Sequence, residues 1–216
     1  MWRNRSGGWF RWGMAWALLG LSVPVSPAQD AATATGTVQG KVKLDLPGVS
    51  LADVGPLIVF LDAVEGKLRV DPPKDTPKIS QREAKFSPDF LVIAAGQTVE
   101  MPNDDKIVHN VFSFSKPNDF DLGLYPKGEQ KKVTFLHPGV VDLFCSIHSK
   151  MNATIFVAPS PYYSQADAEG AFEIRGVPPG RYRLKTWNRK LPAAGVEIAV
   201  AAGKPTRLNV DIQDKK

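Results

Sequence analysis

Cys145-Ser146-Ile147-His148-Ser149-Lys150-Met151 holds the only cysteine of the chain, one of its three histidines and a methionine, and His109 stands upstream. Together these residues offer one thiolate, two imidazoles and one thioether. Two His and one Cys in a trigonal plane, with a Met as a long, weak axial contact, are the donors of a blue-copper site. Thiolate and thioether are soft donors that favour Cu(I), whereas imidazole also suits Cu(II). A mixed set that fits neither state fully is what a reversible one-electron centre needs. Cys145, His148 and Met151 are spaced three apart, so a tight loop leaving a strand can turn all three side chains towards one point.

Each of these residues also has an ordinary reading. A lone Cys is commonly a small buried hydrophobe, a lone His a hydrogen-bonded core or surface group, and a Met plain packing. The shared spacing argues against three separate coincidences. Zinc is the rival metal, but structural zinc normally takes four Cys or His ligands, and Met is a poor zinc ligand. The third histidine, His137, precedes Pro138-Gly139 at a turn signal, where an exposed titrating side chain is expected.

The segment 78–158 resembles the cupredoxins, in particular the small plastocyanin-, amicyanin- and pseudoazurin-like electron-transfer proteins. The Cys-x2-His-x2-Met loop is similar to the amicyanin and pseudoazurin form, shorter than that of plastocyanins. Phe86-Ser87-Pro88, Gly96-Gln97-Thr98-Val99, Asn103 and Val108-His109-Asn110-Val111-Phe112 match the family's approach to its first ligand. The resemblance implies a Greek-key β-sandwich and one type 1 copper ion held by His109, Cys145, His148 and Met151. It further implies that Asn110 and Ser146 hydrogen-bond across the site, and that His148 presents its ring edge as the electron port. Such supporting contacts fix ligand orientation and tune the metal.

Residues 1–28 read as a cleavable secretory signal peptide. Arg3, Arg5 and Arg11 give a basic start, Trp12 to Val25 is apolar, and Ser26-Pro27-Ala28 offers small residues for cleavage after Ala28. A retained membrane anchor is the alternative, although the apolar stretch, about 14 residues, is shorter than the roughly 20 a spanning helix needs. The expectation is a periplasmic protein with no stable membrane insertion after cleavage. The formal charge of +5 includes the three arginines of this segment. No Lys/Arg-rich run remains to suggest a nucleic-acid partner. A single cysteine excludes an intramolecular disulfide, and in an oxidising compartment a free thiol is a liability that metal ligation would explain.

The remaining chain reads as all β. Alternation appears in Gly36–Leu44, an apolar run in Leu57–Leu61, and further strands at Phe90–Ala94, Thr98–Met101, Asn110–Phe114, Lys131–Phe135, Val140–Cys145 and Ala153–Ala158. Short strands at this pitch, punctuated by Gly, Pro, Asn and Asp turns, indicate a sandwich or barrel. Ser115–Tyr125, with Pro117, Asn118, Asp119 and Gly123, breaks the alternation and is expected to be an irregular loop, with room for one helical turn. Glu65–Pro77 reads as a linker or long connection.

A second pattern follows the Cys loop. Asp167–Ile174 and Gly176–Leu184 form hairpin and turn-linked strands, continued by Gly195–Val200 and Arg207–Ile212. They resemble the carboxypeptidase regulatory-like, transthyretin-like β-sandwich. The first strands of that family match Gly36–Leu44 and Leu57–Leu61, so a second small sandwich built from 30–70 and 159–216 is expected, with the cupredoxin segment inserted. The alternative gives residues 36–61 to the cupredoxin as its first strands. Asp167 and Glu169 read as turn formers and solvated charge, and Trp187 as a core residue of the second sandwich. That sandwich gathers no reactive groups, and a fold alone gives it no activity.

Three functions compete. A one-electron carrier between a donor and an acceptor redox protein accounts for the ligand set best. Copper storage or delivery shares the ligands but calls for an open or Met-rich site, and only Met101 and Met151 follow the signal segment. A copper enzyme would need another centre with several more histidines than the three present, so no enzyme activity is expected. Lys106 and Lys150 flank the ligands, and so do Asp104 and Asp105, which leaves the charge of a docking face open.

Overall fold

The alternating segments become strands because β-branched and aromatic residues at every second position can bury one face of a pleated sheet. In the computed structural model, residues 34–66, 68 and 70–213 are described, and the expected signal segment lies outside them. The chain begins with β1 (Gly36–Asp45), a single helical turn α1 (Leu51–Val54) and β2 (Ile58–Ala63). A middle series follows: β3 (Ser80–Arg82), β4 (Lys85–Ser87), β5 (Phe90–Ala94), β6 (Thr98–Pro102), β7 (His109–Ser113) and β8 (Phe120–Tyr125). It ends with β9 (Gln130–Thr134), β10 (Gly139–Phe144) and β11 (Asn152–Ala158). The last series is β12 (Tyr163–Gln165), β13 (Ala171–Val177), β14 (Gly180–Trp187), β15 (Gly195–Val200) and β16 (Pro205–Gln213). The protein is all β, and among the described residues no helix is long and apolar enough to cross a membrane.

The middle series forms a five-stranded sheet in the order β5-β11-β10-β7-β8, with β6-β9 and β3-β4 as two-stranded ribbons. Between them lies a core of Ile79, Phe86, Ile93, Val111, Phe135, Leu143 and Ile155, in which Cys145 and Met151 also pack. Tyr125 is buried here and donates to the Met101 carbonyl at 2.8 Å. Burial pushes its phenol up to about 12, because a phenolate in this core would lose its hydration.

The outer strands form two further sheets, β13-β1-β16 and β12-β2-β14-β15. Strand β1 therefore lies between β13 and β16, and β2 between β12 and β14, so residues 36–63 share sheets with residues 163–213. The β1–β16 pairing is parallel from Thr37 opposite Pro205 to Asp45 opposite Gln213. Gly40 makes this approach possible, since a Cβ there would lie 1.7 Å from the Leu208 carbonyl oxygen. Val38, Leu61, Ile174, Leu184 and Ile212 fill the core between these two sheets.

Two sequence expectations need correction. Residues 120–125, expected to be irregular, form β8 and pair antiparallel with β7. Pro117 and Asn118 confine the turn to the preceding residues, where Asn118 N–H donates to the Ser115 carbonyl at 2.8 Å. A bulge within β8 breaks the period-two pattern that would have announced it. Trp187, expected inside its own sandwich, lies on the opposite face of β14. Tyr182, Leu184 and Thr186 point inward along that strand, so alternation turns Trp187 outward. Its ring stacks on Phe156 of β11 at 4.7 Å and on Phe90 of β5 at 5.8 Å. With Ile58, Phe60, Val92, Val140 and Tyr163 it makes a third apolar cluster that joins the two strand packs. Arg189 adds an ion pair to Asp142 and donates to Thr154 Oγ1 at 2.8 Å.

Candidate metal centre

His109 is the first residue of β7 and is fully buried, while Cys145 directly follows β10 and is nearly so. The adjacency of β7 and β10 in the sheet brings them together. The loop after Cys145 then folds back, closed by the Met151 N–H donating to the His148 carbonyl at 2.9 Å. As a result, ligand atoms of His109, Cys145 and His148 all lie within 4.8 Å of one another. Cys145 Sγ is 3.9 Å from His109 Nδ1 and 3.7 Å from His148 Nδ1, and the two Nδ1 atoms are 3.1 Å apart. Met151 is buried in the same core as Cys145.

The tautomer of a neutral His109 ring follows from its other nitrogen. His109 Nε2 faces Asp105 Oδ2 at 2.9 Å. A carboxylate only accepts, so in the neutral ring Nε2 carries the proton and Nδ1 keeps its lone pair for a metal. Asp105 is itself held by the Ala84 N–H at 2.8 Å and the Lys106 N–H at 2.7 Å. The Ala84 hydrogen bond, that of His109 and then that of Lys106 draw its carboxyl down to about 2. Ala84 can present its N–H because Glu83 and Ala84 take positive φ values of 52° and 53° in the β3–β4 turn, the geometry of a tight hairpin.

Asn110 ties the two ligand segments together. Its Oδ1 accepts from the Ser146 backbone N–H at 2.7 Å, and its Nδ2 donates to Asp121 Oδ1 at 3.2 Å. The Asn110–Ser146 bridge thus runs through the Ser146 peptide. Next to His109 and His148 in sequence, Val108 and Ile147 are 44% and 50% exposed, and Ile107 48%.

Convergence of an imidazole lone pair, a second ring nitrogen and a thiol sulfur in a buried position suits a soft-to-borderline cation, so the donor set fits copper. His137 takes no part in it. That residue is exposed, and its N–H and C=O engage the Asn118 side chain. Asp167 Oδ1 accepts from the N–H groups of Glu169 and Ala171, which makes it a turn former. Two supporting carboxylates escaped the sequence reading. Asp105 entered the sequence reading only as one of several charges flanking the ligands, although its position four residues before His109 placed it within reach. Asp121 sat in the supposed loop, and no local signal marked it.

A family model described as polysaccharide lyase family 4, domain II, matches residues 154–208. No curated protein matches the chain. Among solved structures, a purple cupredoxin from Nitrosopumilus maritimus is similar at 24% identity, over 38% of this chain and 99% of that one, with a TM-score of 0.35. A reduced amicyanin variant is similar at 20% identity, over 43% of this chain and 96% of that one, with a TM-score of 0.35. A copper-containing nitrite reductase from Thermus scotoductus is similar at 24% identity, with a TM-score of 0.37, over 54% of this chain and 28% of the reductase.

Proposed function

We propose that this protein is a periplasmic type 1 copper protein that carries single electrons between a donor and an acceptor redox protein, and that it is not itself an enzyme. The observation that carries this reading is the convergence of His109 Nδ1, His148 Nδ1 and Cys145 Sγ in a buried site, with Nδ1 of His109 freed by Asp105. His109, Cys145, His148 and Met151 would hold one copper ion, which supplies a reversible one-electron couple when bound. In support, the three converging donors already face one another, so binding requires little rearrangement of the chain. Asp105 keeps the proton at Nε2 of His109 and fixes that ring. Asn110 fixes the Cys145–Ser146 peptide. His148, half-buried next to the exposed Ile147, is the group through which a docked partner would be reached. We further propose that residues 78–158 form a cupredoxin domain inserted into an outer sandwich of 30–70 and 159–216, a reading supported by the pairing of β1 and β2 with later strands.

The test is a visible spectrum and a voltammogram of the copper-loaded protein. Expected are an intense blue thiolate-to-Cu(II) band that bleaches reversibly on reduction, and no such band in Cys145→Ser. A colourless, redox-silent copper complex of the wild type would refute the carrier and favour storage or delivery.

A further inference from the structure

Strand β8 opposes β7 with one residue too many. Asn110 pairs with Leu124 and Phe112 with Asp121, so two steps on β7 answer three on β8. The extra residue is accommodated by Gly123 in the left-handed region, φ 65°, with nothing within 4 Å of where a Cβ would stand. This bulge has a consequence for one side chain. The Gly123 N–H turns back and donates to Asp121 Oδ1 at 2.8 Å, and the same oxygen accepts from Asn110 Nδ2 at 3.2 Å. Bulges re-aim side chains in this way.

The two ends of a side-chain amide have nearly the same shape, so shape alone leaves Asn110 two orientations that only hydrogen bonding tells apart. Only one places Oδ1 against the Ser146 N–H, at 2.7 Å; the other would set two donors against each other. A carboxylate only accepts, so Asp121 selects the productive orientation. Water in its place would both donate and accept, and would leave the choice to the Ser146 N–H alone. The Ser146 N–H belongs to the peptide that starts at the Cys145 carbonyl, so the choice fixes the peptide plane from which the Cys145 side chain departs.

We propose that Asp121, aimed by the β8 bulge, is a positioning residue that orients the Asn110 amide and through it the Cys145 peptide. Its effect on a bound metal rests on the copper reading above; its effect on Ser146 does not.

The experiment compares wild type, Asp121→Ala and Asp121→Asn, whose amide oxygen the Gly123 N–H would hold towards Asn110 as it holds Asp121 Oδ1. Asp121 is exposed, so the variants should fold, and thermal melts check this. In metal-free protein, Ser146 amide hydrogen exchange followed by NMR should quicken roughly tenfold in Asp121→Ala, the equivalent of about one net hydrogen bond. Asp121→Asn should restore it to near the wild-type rate. In the copper-loaded protein the thiolate band should shift in Asp121→Ala and return in Asp121→Asn. Unchanged Ser146 exchange in Asp121→Ala would overturn the proposal, as would equal acceleration in both variants, which would assign the effect to charge. A colourless wild type with accelerated Ser146 exchange in Asp121→Ala would refute the copper reading and still support the positioning role.

Discussion

Trp187→Ala should uncouple the two strand packs. The indole is half-buried, stacked at 18° on Phe156 and at 4° on Phe90. Tryptophan buries about 200 Å² when fully enclosed. Half of that, at ~25 cal/mol per Å², contributes about 2.5 kcal/mol. Two aromatic pairs add about 1–3 kcal/mol beyond area. The expected loss is then about 4 kcal/mol, within the range measured when buried Phe or Trp is cut to Ala. Domain stabilities run from about 5 to 15 kcal/mol, so a loss of this size removes a large share. Urea unfolding of the metal-free protein, followed by far-UV circular dichroism and tyrosine fluorescence, is the assay. The variant should show a lowered first midpoint and a shallower or two-step transition, because each pack then opens on its own. Trp187→Phe, which keeps a ring against Phe156, should lose markedly less. A variant within ~1 kcal/mol of wild type, with one transition of unchanged steepness, would refute the claim that this cluster joins the packs.

Asp105→Ala should weaken Cu(I) binding by about 10–100-fold, the usual loss when a ligand histidine loses its carboxylate partner, while Asp105→Asn should lose less. Chelator competition measures it, and wild-type affinity in the alanine variant would remove Asp105 from the site. Met151→Leu should keep the blue colour and raise the potential, since a weak donor to Cu(II) is lost; an unchanged potential in voltammetry would make Met151 packing alone. Glu100 is bonded to Lys132 and Lys78, and these cations hold its carboxyl below the ordinary range. A lowered carboxyl stabilises the fold above its ordinary titration range, and that contribution is lost as pH falls through the depressed value. Melting temperature should therefore fall less steeply on the acid side in Glu100→Gln, and coincident calorimetric profiles would show that the pair contributes nothing.

The convergence of Cys145 and His148 with His109 could be anticipated because these side chains are chemically distinctive and two of them are close in sequence, and most strands because alternation and Gly/Pro turns are local signals. What could not be read depends on contacts distant along the chain. The bulge at Gly123 put β8 out of phase with a two-residue period, and Asp121, once inside a supposed loop, looked like solvated charge. Asp105 was passed over for a similar reason: a carboxylate beside Asn103 and Asp104 is what a turn would carry anyway, and only the β3–β4 hairpin and His109 give it another role. Trp187 shows the reverse. Tyr182, Leu184 and Thr186 already assign the inner face of β14, so the pattern itself sent Trp187 outward, where a partner had to be found.

Chain direction at the junction bears on the order of folding. The chain departs after β2 and returns just before β12, and the two crossing points touch: Leu61 N–H donates to the Tyr162 carbonyl at 2.9 Å, and Ser160 Oγ donates to the Leu61 carbonyl at 2.9 Å. For β2 to find β12 and β14 while the intervening stretch is still unfolded, a loop of roughly 100 residues must close. Each halving of such a loop saves about 0.6 kcal/mol, so shrinking it to a handful of residues saves on the order of 2.5 kcal/mol. A middle segment that folds first delivers both ends to the same place and supplies that saving. Whatever steadies the middle segment, the proposed copper ion included, would then also hasten completion of the β13-β1-β16 and β12-β2-β14-β15 sheets, which lie outside it.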